Sequence, residues 1–91
     1  MFLVQYDVNN TVNYDIKEYR DKALEMYIDW CKDALEETYD GFATTDNEVI
    51  LVEIDDESIK DIINGETDKL DSYVLKRFYT DENYNWEEEE E

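Results

Sequence analysis

At 91 residues, with 27 Asp and Glu against 8 Lys and Arg, the chain carries a net charge of −19, far beyond the magnitude of roughly 2–8 that keeps a small domain soluble. With no histidine and one cysteine, it lacks the residue pairs of nucleophilic catalysis, a zinc set and an internal disulfide, so neither a catalytic residue nor a cofactor is expected. A hydrophobic share of 42%, no proline and two glycines argue for one folded domain with a modest core and against a disordered chain.

In chain order, Phe2 to Val8 read as a strand and Asn9-Asn10 as a turn. Asp15 with Glu18 makes an Asp-x-x-Glu capping box and Gly41 supplies a left-handed stop, which predicts a helix over 16–40. The β-branched run from Glu48 to Ile54 suits a central strand buried on both faces. Asp55 or Asp56 then caps a short helix carrying Ile59, Ile62 and Ile63 and ending at Asn64-Gly65. Over 67–80, Leu70, Val74 and Phe78 favour a helical face, while Ser72 to Thr80 also suits a strand. Tyr84 and Trp86 are expected to pack on the core or a sheet edge, and the five glutamates 87–91 to form a mobile acidic tail. The sum is an α+β fold: a single small domain over 1–86, with one long amphipathic helix on a small sheet and one or two further short helices.

No apolar run approaches the roughly 18 residues that span a bilayer, and the start MFLVQYDV has neither the basic region nor the long apolar stretch of a signal peptide. A cytoplasmic location is expected, and anionic lipid would repel the chain. Cys31, beside Trp30 on the apolar side of the predicted helix, reads as a small core residue. Gly-rich phosphate loops and the EF-hand ligand pattern are absent, so no metal site is expected.

At 100° per residue, Asp15, Glu18, Asp21, Glu25, Asp29, Asp33, Glu36 and Asp40 fall within a sector about 120° wide, opposite Ile16, Tyr19, Ala23, Tyr27, Trp30 and Ala34. An ordinary solvated face mixes both signs at i to i+4, and here only Lys22 and Lys32 interrupt the row. Any acidic chain turns acids toward solvent, so the spacing adds to the net charge without replacing it. From Glu18 to Asp40 the predicted stripe spans about 33 Å, close to one turn of B-DNA. One strand of that turn carries about 10 phosphates. A duplex-like field therefore needs a second row of acids after Ile54.

In size, charge and helix-plus-sheet pattern the chain resembles the small acidic DNA mimics of bacteriophages and mobile elements, among them anti-restriction, uracil-glycosylase-inhibitor and anti-CRISPR proteins. That resemblance implies an inhibitor occupying the cationic DNA-binding groove of a basic partner, a CRISPR effector or a restriction nuclease. The expected contacts are Glu18, Asp21, Glu25, Asp29, Asp33, Glu36 and Asp40, followed by Asp55, Asp56, Glu57 and the tail acids Glu87, Glu88 and Glu89. The competing reading is an immunity protein or antitoxin that neutralises a basic toxin through a small aromatic and acidic hot spot. A third is a phage protein whose acidity only keeps it apart from nucleic acid.

Overall fold

The computed structural model describes residues 1–38, 46–55, 74–81 and 85–90. In chain order these form β1 (Phe2–Val8), β2 (Thr11–Lys17), α1 (Arg20–Glu37), β3 (Glu48–Glu53), β4 (Val74–Thr80) and β5 (Trp86–Glu90). The strands make one antiparallel sheet in the order β2-β1-β3-β4-β5, so the fold is α+β with sheet predominating. The short helix expected around Ile59 to Ile63 lies outside the described residues, as do Asp40, Asp56, Glu57 and Tyr84. Among the described residues, no helix is long and apolar enough to cross a membrane.

The hairpin of β1 and β2 follows from its turn. Asn9 and Asn10 both sit at positive φ, 52° and 65°, the conformation a two-residue type I′ loop needs and asparagine tolerates better than most side chains. That turn pairs β1 with β2 over seven positions, from Val8 and Thr11 to Phe2 and Lys17. Residues 16 and 17 therefore belong to a strand, contrary to a helix beginning at Ile16, and the capping box does not form. The Asp15 carboxylate instead accepts from the N–H of its neighbour Ile16 at 2.8 Å and pairs with Lys17 at 3.2 Å. The helix starts later, with Tyr19 as N-cap and no side-chain cap.

β3 lies at the centre of the sheet with Val49, Ile50, Leu51 and Val52 all buried, as its unbroken apolar run predicts. On one face Val4, Tyr6, Val8, Val49 and Leu51 pack with Ala23, Tyr27 and Ala34 of α1; on the other, Leu3, Ile50, Val52 and Ile54 form a second cluster. Small alanines let the helix approach the sheet, and Tyr27 fills the space between them. Asn47 ties the ends together. Its side-chain Oδ1 accepts from the Asn9 N–H at 2.9 Å, while its backbone exchanges bonds with Thr80 at 3.0 Å.

Two further expectations change in the second half of the chain. Residues 74–80 are a strand, not a helix: Val74, Lys76, Arg77, Phe78 and Tyr79 register against β3, with a bulge opposite Leu51 and Val52. Glu87–Glu90, expected to be an unpacked tail, continue Trp86 as β5 along β4. The reason is the chemistry of β4. Lys76 reaches Glu90 at 2.6 Å and Glu88 at 4.0 Å, the Tyr79 hydroxyl donates to Glu89 at 3.0 Å, and Trp86 stacks on Phe78 with centroids 4.5 Å apart. Cross-strand pairs of opposite charge and of aromatic rings are what hold such a ladder.

Candidate acidic interface on the first helix

Five acids of α1 stand at successive i to i+4 positions: Asp21, Glu25, Asp29, Asp33 and Glu37, with Glu36 beside the last two. All are exposed. The row from Asp21 to Glu37 rises about 24 Å, roughly two-thirds of a DNA turn. Of these acids, only Glu25 makes an ion pair among the described residues, with Lys22 at 3.7 Å; Asp21, Asp29, Asp33, Glu36 and Glu37 make none. Four like-charge neighbours at i to i+4 cost the helix about 1–2 kcal/mol in total.

The helix C-terminus makes this arrangement costlier. Exposed carbonyls give that end a partial negative charge that favours Lys or Arg, yet the last turn holds no basic residue and contains Glu36 and Glu37. The Thr38 hydroxyl closes the end by donating to the Ala34 carbonyl at 2.8 Å and accepts the Trp86 indole N–H at 3.0 Å. Charge chosen for helix stability alone would be of the other sign.

Beside this end lies a groove of about 620 Å³ between α1 and β2, lined by Tyr6, Thr11, Asn13, Tyr14, Asp15, Trp30, Asp33, Glu36 and Glu37. Among the described residues, no cationic side chain lines it. Tyr6 meets Trp30 edge to face at 5.9 Å between centroids. Burial, then the neighbouring Glu37 and Asp33 carboxylates, push the Tyr6 hydroxyl up to about 12, so it stays a neutral donor. Aromatic surface ringed by carboxylates suits a guanidinium or ammonium group, which gains from both. Past Trp30 the seam continues into a hollow of about 300 Å³ lined by Lys17, Lys22, Glu25, Met26, Asp29 and Trp30.

The structure thus separates the acids that the sequence grouped together. Asp21, Glu25, Asp29, Asp33 and Glu36 share the exposed face of α1, whereas Glu18 sits in the connection before it and Asp55 follows β3, both exposed. Glu87, Glu88 and Glu89 lie on the sheet edge farthest from β2. On the apolar side, Ala23, Tyr27 and Ala34 are buried, but Tyr19 and Leu35 are largely exposed and Ile16 lies on β2. Glu37, Tyr6 and Trp30 are the additions. Glu37 follows from continuing the i to i+4 row one step past Asp33; Tyr6 enters only through the sheet.

Cys31 is half-buried, its thiol pushed up to about 11 by burial, so it is a poor nucleophile. Tyr27, buried beside it, is shifted in the same direction by burial, with Cys31, Glu88 and Glu90 contributing. Among the described residues no cluster of acids and thiols is arranged to hold a metal ion. Comparison with protein-family models, curated proteins and solved structures returns no match.

Proposed function

We propose that this chain acts by binding a cationic surface of a nucleic-acid-binding protein and excluding DNA from it. One observation carries the reading: of six exposed acids on α1, five make no ion pair among the described residues, like-charge repulsion runs along their row, and the helix C-terminus further opposes Glu36 and Glu37. That unpaired charge on one face is what a partner supplying cations would balance. Long-range attraction would speed encounter at low salt, and carboxylates would then take the arginines that hold phosphate. A CRISPR effector or a restriction nuclease is the partner class this implies. The host cytoplasm, where such nucleases work, is the proposed location, and no catalysis is assigned.

The described part of the stripe is shorter than a DNA turn, so it stands in for part of one strand. A test is to retain basic proteins from a bacterial lysate on the immobilised chain and titrate each with duplex DNA. The retained protein should lose DNA as the chain is added; normal DNA binding at saturating chain overturns mimicry.

The aromatic and acidic groove favours a second reading, an immunity protein or antitoxin whose affinity is concentrated in a hot spot. Single substitutions separate the two. Under the hot-spot reading Glu37→Gln alone weakens binding by at least about tenfold, whereas a dispersed field loses little from one neutralised acid.

A further inference from the structure

Four residues of β2, Thr11, Asn13, Tyr14 and Asp15, line the groove, and β2 is the outer strand of the sheet. A two-residue loop fixes which of its backbone groups are used. Thr11, opposite Val8, closes the hairpin, so Thr11, Asn13, Asp15 and Lys17 turn their N–H and C=O toward β1, and Val12, Tyr14 and Ile16 turn theirs outward. The Ile16 N–H is covered by the Asp15 carboxylate. Those of Val12 and Tyr14 face away from the sheet. Edges of this kind are usually blunted by charge, proline or a bulge, but from Thr11 to Tyr14 β2 has none of these, and Val12 and Tyr14 are 57% and 50% exposed.

The two faces of this edge differ. Thr11, Asn13 and Asp15 share the groove with Asp33, Glu36 and Glu37 of α1, while the strand alternation puts Val12 and Tyr14 on the opposite face, Tyr14 also bordering the groove from the strand edge. We infer that β2 and the groove beside it form a docking strip for an extended segment of the partner that alternates Lys or Arg with β-branched residues. Such a segment adds a sixth strand through main-chain bonds to Val12 and Tyr14. Its basic side chains enter the groove over Trp30 and Tyr6 to meet Asp33 and Glu37, and its β-branched side chains cover Val12 and Tyr14. A second copy of this chain does not suit the strip, because its own −19 charge would be repelled. This inference rests on the reading that the partner is basic, and adds where and in what conformation it is held.

The test uses a synthetic peptide alternating threonine with arginine, and a control of identical sequence with N-methylated amides on the pairing edge, which keeps the charge and cannot form the ladder. Both are titrated into the isotope-labelled chain and followed by amide chemical shifts. The pairing peptide should shift Val12, Tyr14 and the Trp30 indole, slow amide exchange at Val12 and Tyr14, and bind about tenfold more tightly than the control. Tyr14→Pro, which removes an outward N–H where an edge strand tolerates proline, should erase that advantage. Equal binding of both peptides, with shifts spread along α1, overturns the strand and leaves the charged-surface reading standing. Absence of binding by either peptide at low salt overturns both.

Discussion

The glutamates of β5 and the acids of α1 carry the same charge in opposite circumstances. Glu88 and Glu90 flank Lys76, Glu89 accepts from Tyr79, and the strand is pinned at its start by Trp86 between Phe78 and Thr38. Asp21, Asp29, Asp33, Glu36 and Glu37 make no ion pair among the described residues, although Arg20, Lys22 and Lys32 lie on the same helix, and Glu37 has the Tyr6 hydroxyl beside it. A high net charge is therefore not uniform in meaning. Part of it closes the sheet, and part, on α1, makes no ion pair among the described residues.

Trp86→Ala gives the largest test of that contrast. It removes the ring from Phe78 and the N–H from Thr38, and should cost about 3 kcal/mol of stability in urea titration, the low end for a large aromatic because Trp86 is only partly buried. A loss below about 1 kcal/mol would mean that β5 is not anchored and that its glutamates are as available as those of α1. Reversing Asp21, Asp29, Asp33 and Glu36 together to Lys should weaken partner binding by at least about 100-fold while leaving the urea midpoint unchanged or raised. Unchanged affinity would move the interface away from α1.

Arg77→Met probes the support of β4. Arg77 reaches Glu48 at 2.6 Å and lies 4.7 Å above the Tyr79 ring, so its loss should cost about 1 kcal/mol in the same titration, with partner binding unaffected. The smallest effect belongs to Glu90→Gln. The Lys76 hydrogen bond and charge hold the Glu90 carboxyl below its ordinary 4.5, so the native state binds this proton less readily than the unfolded chain. Its contribution is present above the unfolded value and lost as pH falls through the folded one. The variant should melt slightly below the parent at neutral pH, and the gap should close in acid; a gap that persists there would assign it to packing.

How far the sequence revealed the fold depended on the range of the interaction. Local signals read well: the Asn9-Asn10 turn, β1, and β3 as a central strand buried on both faces. β2 was missed because Asp15 and Glu18 imitate a helix cap, and only the seven-position match to β1 across the turn outweighs that imitation. β4 and β5 were misread for a different reason. A strand with Lys76, Arg77 and Tyr79 and a run of glutamates each look solvated alone, and become a ladder only when set side by side. The α1 acids were legible from spacing, whereas the groove was not, since Tyr6 and Trp30 come together only through packing of helix on sheet.

β1 also carries a consequence for how the molecule assembles. One neighbour, β2, is reached through a two-residue turn; the other, β3, pairs Asp7 with Glu48 and Phe2 with Glu53 across about half of the chain. Hairpins of the first kind close in about 1–10 μs, while the second must wait for a long loop to be drawn shut. The hairpin is thus the early, reversible event, and the meeting of β1 with β3 sets the pace of folding. Substitutions that weaken the hairpin in β2 or the β1–β3 pairing in β3 should therefore both slow refolding more than they hasten unfolding.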